Sequence, residues 1–150
     1  MEKVSATSDI LYSVDSLQTY ILECEKLKSD IALKTKDIRF LQQLLDRYFD
    51  EIVQNENLDE IRESLMRFQD LCYNCSRLKK RIKDHQRQLV GILKGYEGFN
   101  SNALTKEQTW IEKRIASLTH DFISVEKEIL VIADNVIQKD KENRNHLFIC

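Results

Sequence analysis

From Ile111 to Val136 the apolar residues of this chain recur at alternating steps of four and three: Ile111, Ile115, Leu118, Phe122, Val125, Ile129, Ile132 and Val136. That alternation places one narrow apolar row along a helix and calls for other helices to cover it. It confines the chain to folds in which long helices lie side by side. The 150 residues contain no proline and only three glycines, Gly91, Gly95 and Gly98. Ordinary usage would supply roughly seven or eight prolines. Proline breaks helix interiors, so its absence permits very long helices. Charged residues make up 32% and apolar residues 42%, a balance that suits thin helices with much exposed polar surface better than a compact enzyme.

Three helices are expected, at about 8–53, 58–95 and 103–141, in a single elongated all-α domain over residues 1–150, an antiparallel coiled coil or three-helix bundle. At 1.5 Å per residue each would run about 55–65 Å. The first row reads Ile10, Val14, Leu17, Ile21, Cys24, then Leu27, Ile31, Ile38, Leu41, Leu45, Tyr48 and Ile52. Its frame slips by three residues at Cys24, a stammer, and Lys34 occupies a row position. The break at Gln54-Asn55-Glu56-Asn57 ends it, with Asn57 and Glu60 forming a capping box. The second row reads Leu58, Ile61, Leu65, Phe68, Cys72, Cys75, Ile82, Leu89, Leu93 and Tyr96, with Lys79 and Gln86 in the remaining slots; Leu71, Leu78 and Ile92 make an adjacent stripe. Gly95 and Gly98 terminate that helix. The third is capped by Thr105 with Gln108, or by Asn102 a turn earlier. Ala116, Ile123, Leu130 and Ile137 widen its apolar arc to roughly 160°, enough to touch two neighbours.

The net charge of −2 gives the whole molecule no field that implies nucleic acid. The distribution is uneven: residues 1–60 hold 7 basic and 13 acidic side chains, residues 61–100 hold 9 and 4, and residues 101–150 hold 7 and 8. Arg77, Lys79, Lys80, Arg81, Lys83 and Arg87 form a basic cluster interrupted only by Asp84. It is a candidate patch for an acidic partner, nucleic acid or acidic lipid. The favoured reading is a solvated face or a match to Glu23, Glu25 and Asp30, which a hairpin would bring opposite.

Nothing here resembles a catalytic constellation. Cys72-Tyr73-Asn74-Cys75 is a lone pair of cysteines, whereas a zinc site needs further cysteines or histidines at ligand spacing; core packing is the favoured role. His85, His120 and His146 are scattered, no Glu-x-x-His pair occurs, and nucleophile-elbow, phosphate-loop and zincin motifs are missing. Trp110 is read as an anchor in the bundle. No enzyme activity, cofactor, metal or small-molecule substrate is expected. Met1-Glu2-Lys3-Val4 lacks the apolar core of a leader, no stretch approaches the ~20 apolar residues of a membrane span, and Leu147-Phe148-Ile149-Cys150 does not put cysteine at the prenylation position. The expectation is a soluble cytoplasmic chain whose four cysteines are reduced.

The expected function is a structural scaffold subunit that assembles with other helical chains. Its partner-binding seam would be the 111–136 row together with Leu130 and Ile137. In helix length, heptads and scarcity of proline the chain resembles small coiled-coil subunits of eukaryotic hetero-oligomeric assemblies, such as the augmin and kinetochore complexes of the spindle. Vesicle-tethering, lysosome-positioning and nuclear-pore subunits share these features; resemblance to a spindle subunit implies a place in mitosis, at the microtubule cytoskeleton, with other coiled-coil subunits as partners and microtubules or another acidic surface as a further one. The alternatives are a self-contained, spectrin-like three-helix binding module and a basic-patch binder of nucleic acid or membrane.

Overall fold

The computed structural model describes the backbone of residues 2–55, 58–95, 98 and 100–149, and the side chains of residues 16–54, 58–95, 98 and 100–142. Three helices, α1 (Glu2–Asn55), α2 (Leu58–Leu93) and α3 (Ser101–Ile149), pack against one another as an all-α three-helix bundle, with no strand among the described residues. α2 begins at the expected residue, whereas α1 and α3 run past both of their expected ends.

The helix ends follow from side chains at the breaks. Asp59 and Glu60 occupy the first turn of α2, where carboxylates face the positive end of the helix dipole. Asn57, the expected cap, lies outside the described residues, as do the side chains of Ile10 and Val14, and Tyr96 and Phe99. At the other end Gly95 takes a φ of 81°, and its N–H donates to the Ile92 carbonyl at 3.0 Å. A residue with a Cβ adopts that left-handed turn only at a cost. α3 is capped by neither expected residue. Asn100 does it: its Oδ1 accepts from the Ala103 N–H at 3.1 Å, and its carbonyl accepts from the Leu104 N–H at 3.1 Å.

The bundle comprises two compact units, each drawing a segment from all three helices. The first takes Met1–Leu33 and Cys75–Ser117, the second Lys34–Asn74 and Leu118–Cys150. The core of the first unit is built from Leu17, Cys24, Leu27 and Ile31 of α1, Cys75, Leu78, Ile82 and Leu89 of α2, and Leu104, Ile111 and Ile115 of α3. The core of the second is built from Ile38, Leu41, Leu45 and Ile52, then Ile61, Phe68 and Leu71, then Leu118, Phe122, Val125, Ile129, Ile132 and Val136. All eight residues of the 111–136 row are therefore buried within this chain. Each such side chain contributes on the order of 1.5–3 kcal/mol by leaving water.

The second helix corrects the sequence-based frame. The buried slots of α2 are Ile61, Ser64, Phe68, Leu71, Cys75, Leu78, Ile82, His85 and Leu89. Leu71 and Leu78 belong to the row itself rather than to an adjacent stripe. Leu65, Cys72 and Gln86 are only half-buried, and Leu58, Lys79 and Leu93 are exposed. The two frames share Ile61, Phe68, Cys75, Ile82 and Leu89 and differ by one residue, roughly 100° of rotation, at every other slot. The rejected frame would bury the Lys79 ammonium. Burying an unpaired charge costs far more than burying Ser64 and a hydrogen-bonded His85.

In α1 the expected stammer dissolves. Tyr20 and Ile21 are both half-buried, and the path Leu17, Tyr20, Cys24, Leu27, Ile31 keeps steps of three and four. The Tyr20 hydroxyl reaches the Thr105 hydroxyl of α3, a polar tip on an otherwise apolar slot. Lys34, the charged seam residue, is half-buried with its Nζ 5.0 Å from the centroid of the Phe122 ring. Its stem follows the seam while its charge rests on the face of the ring.

Candidate interaction surfaces

A helix face left uncovered by its own bundle is where a scaffold would meet a partner. Among the described side chains, twelve large apolar residues are exposed. Nine of them, Phe40, Phe49, Val53, Leu58, Met66, Tyr73, Ile123, Leu130 and Val131, fall in the second unit, against Leu22, Leu33 and Leu93 in the first.

Two of the nine, Ile123 and Leu130, lie on one flank of α3. Ile123 is 50% and Leu130 42% exposed, and Ile137 is half-buried. Steps of seven align these three along one flank of α3. Glu128 of α3 accepts two hydrogen bonds from Arg67 of α2, at 3.0 Å from Nε and 2.8 Å from Nη2, so that side of α3 belongs to α2. Leu130 is two residues on, roughly 200° around the helix, and therefore faces away from α2 and toward the α1 side. With Phe122 set against Lys34, helix handedness turns the α1 residues Phe40, 61% exposed, and Leu44, half-buried, to the same cleft between α1 and α3. The second unit thus carries an open apolar strip bordered by two helices. Sequence reading had found half of this strip, Ile123, Leu130 and Ile137, as an extra stripe. It missed Phe40 and Leu44, because the spacing of single residues does not say which flank a third helix covers.

Of the sixteen residues expected to bind partners, the structure separates three groups. The eight of the 111–136 row are internal, and a partner would have to displace α1 and α2 to reach them. Leu130 and Ile137 lie on the strip. The six basic residues divide further, in the first unit. Arg81 turns inward to α3. Its Nε and Nη2 donate to the two Glu107 carboxylate oxygens at 2.7 and 3.0 Å, and its guanidinium carbon lies 3.7 Å from the centroid of the Trp110 ring. Arg114, one turn along α3, sits 5.1 Å from the same centroid, so the half-buried Trp110 is an anchor clamped by two cations. The hydrogen bond from Arg81 is the main cause that holds the Glu107 carboxyl below its ordinary value, against the opposing effect of partial burial.

The remaining five, Arg77, Lys79, Lys80, Lys83 and Arg87, are exposed. Among the described residues Lys79, Lys80, Lys83 and Arg87 make no ion pair with Glu23, Glu25 or Asp30. Glu25 accepts from the Gln86 amide at 2.6 Å and pairs with Lys28 at 3.9 Å. Among the described residues Lys79, Lys80 and Lys83 have no ion pair, and Arg87 pairs only with Asp84 at 3.7 Å.

A buried polar pair in the first unit went unnoticed in the sequence. His85 Nε2 donates to Gln108 Oε1 at 2.8 Å, with 2% and 3% of the two residues exposed. The only hint was that both occupy row positions in the frame the structure adopts. Of the cysteine pair, Cys75 is buried and Cys72 half-buried, and among the described residues no group of three or more His, Cys, Asp or Glu could hold a metal ion. Burial pushes the Cys24 thiol above its ordinary value, with Glu25 adding to the effect and Lys28 opposing it; its Sγ lies 4.0 Å from the Ile82 carbonyl. Among the described residues no helix is long and apolar enough to cross a membrane. No protein-family model, curated protein or solved structure matches the chain.

Proposed function

We propose that this chain is a structural subunit of a multi-chain helical assembly, and that it docks a helix of another subunit on the strip formed by Ile123, Leu130 and Ile137 of α3 with Phe40 and Leu44 of α1. The observation that carries this reading is the shared flank of α3: Ile123 and Leu130 are 50% and 42% exposed on the side turned to the α1 cleft, where Phe40 is 61% exposed. Exposed apolar side chains grouped on one face mark interaction sites on soluble chains. The heptad spacing on α3 suits a helix laid alongside it better than a compact ligand. A spindle or other microtubule-associated complex, in the cytoplasm, is the setting suggested by the resemblance to coiled-coil subunits of such assemblies.

Affinity capture of the tagged chain, wild type against Ile123→Asp/Leu130→Asp, tests this. The expected result is loss of co-purifying helical chains with unchanged thermal melting of the isolated protein. Equal recovery of the same partners by both forms would reject the strip.

A second reading, a self-contained three-helix binding module, is favoured by the internal burial of all eight residues from Ile111 to Val136. Sedimentation of the isolated chain distinguishes the two. A stable monomer with a cooperative melt fits the module, and a concentration-dependent species fits the subunit.

A further inference from the structure

The basic residues of α2 in the first unit are not a diffuse cloud. With Lys80 as reference, Lys83 and Arg87 fall within about 60° of it around α2, at steps of three and four, and Lys94, just past the last residue of the helix with its N–H still bonded to the Val90 carbonyl at 3.0 Å, continues the line seven residues on. The row spans about 21 Å along the axis and lies diametrically opposite the buried row of Leu78, Ile82 and Leu89. All four side chains are exposed, and Lys79 flanks them. The one carboxylate within the row is Asp84, 3.7 Å from Arg87.

We propose that this row, Lys80, Lys83, Arg87 and Lys94, is a docking surface for an acidic polypeptide segment, separate from the apolar strip of the second unit and independent of what that strip binds. Like charges three and four residues apart repel along a helix, and an incoming run of glutamate or aspartate relieves that repulsion while gaining its own pairing. The platform is braced from two sides. Arg81, on the adjacent flank, ties α2 to α3 through Glu107 and Trp110, and beneath the row His85 is joined to Gln108.

The same features disfavour other polyanions. Among the described residues no aromatic ring lies on the row between Lys80 and Lys94, and Trp110 is already covered by Arg81 and Arg114, so unpaired bases lack rings interleaved with the cations. Between Lys80 and Lys94 no exposed large apolar side chain lies on the row to enter a membrane interface, and the exposed residues beside it there include Asp84 and Gln88. The cations form a single line with the period of a helix face, which suits carboxylates repeating every three or four residues on a partner helix.

The test uses the full chain and a fluorescently labelled glutamate-rich peptide, followed by anisotropy at low ionic strength. The peptide is expected to bind, with affinity falling at least tenfold when salt rises from about 50 to 200 mM. Lys80→Glu/Lys83→Glu/Arg87→Glu should weaken binding at least tenfold, and Lys80→Gln/Lys83→Gln/Arg87→Gln should weaken it less but in the same direction. The control Lys106→Glu/Lys113→Glu/Lys127→Glu removes the same charge from exposed positions of α3 and should keep affinity within about twofold. The proposal is overturned if the control loses as much as the row variant. It is equally overturned if duplex DNA or anionic vesicles bind more tightly than the peptide, or if no peptide binding is seen at low salt.

Discussion

His85 of α2 and Gln108 of α3 meet at 2.8 Å inside the first unit, each almost wholly removed from water. As the amide is oriented, His85 Nε2–H donates and Gln108 Oε1 accepts, while His85 Nδ1 and Gln108 Nε2 have no partner among the described protein atoms. Such a pair contributes little net stability, yet breaking it strands a buried polar group. His85→Leu or Gln108→Leu alone should therefore destabilise the protein by about 1–3 kcal/mol. The double replacement by leucine should recover most of that loss. Urea melts of the four proteins, read as a double-mutant cycle, check this; additive losses would mean the two side chains do not act as a unit.

A polar pair at a row position has a second consequence. It penalises any slide of α2 against α3, since a one-slot shift would leave both groups facing aliphatic side chains. Register in the first unit is thus set by His85, Gln108, Arg81 and Glu107 together, while apolar area supplies the bulk of the driving force.

The Arg81–Glu107 pair predicts an acid dependence. The carboxyl of Glu107 titrates in the folded chain below its ordinary value of 4.5. Its contribution is fully present above that value and is lost as pH falls through the lower folded one. In Arg81→Met this component should vanish, leaving a flatter stability profile between about pH 6 and pH 3. Because Arg81 is nearly half exposed, the loss at neutral pH should be modest, about 1 kcal/mol including the stacking on Trp110. Thermal melts across that range, with tryptophan emission as the probe, measure both effects.

Seam and strip should respond oppositely to mutation. Phe122→Ala or Ile129→Ala opens a cavity in the core of the second unit and should cost about 2–5 kcal/mol. Ile123→Asp and Leu130→Asp change exposed positions and should move stability by no more than about 0.5 kcal/mol. Denaturant midpoints of the isolated chain distinguish the two classes directly.

The cysteines give a chemical readout of the corrected α2 frame. Cys24 is buried and its thiol is held above the ordinary value, so alkylation in native buffer should be slow and should accelerate on unfolding. Cys72, outside the row and half-buried, should react faster than Cys75, which is inside it. In the uncorrected frame the two would react alike. Peptide-resolved alkylation rates decide between the frames.

The helical architecture was legible because periodicity over long segments integrates many residues. The 111–136 row needed no structure to be seen, and neither did the start of α2 or the glycine stop at Gly95. The α2 frame was less legible, because Leu65 and Cys72 compete with Leu71 and Leu78 at adjacent slots. What decides between them is the cost of burying Lys79 and the gain from pairing His85 with Gln108, a partner on another helix. Lys34 illustrates the same limit: only the position of Phe122 makes a charge at the seam tolerable. The apolar strip was half visible for a similar reason. Spacing reveals that Ile123, Leu130 and Ile137 share a flank, and only the Arg67–Glu128 pair tells which side α2 leaves open.

The proposal that a partner helix covers the α1–α3 strip is tested most directly by the accessibility of one position on it. Leu130→Cys introduces a thiol on the open flank of α3, and its alkylation rate is read by mass spectrometry in the isolated chain and in the complex recovered by affinity capture. Fast labelling in isolation and at least tenfold protection in the complex is the predicted result. Equal labelling of Leu130→Cys in both states would contradict the assignment of this strip as the docking surface.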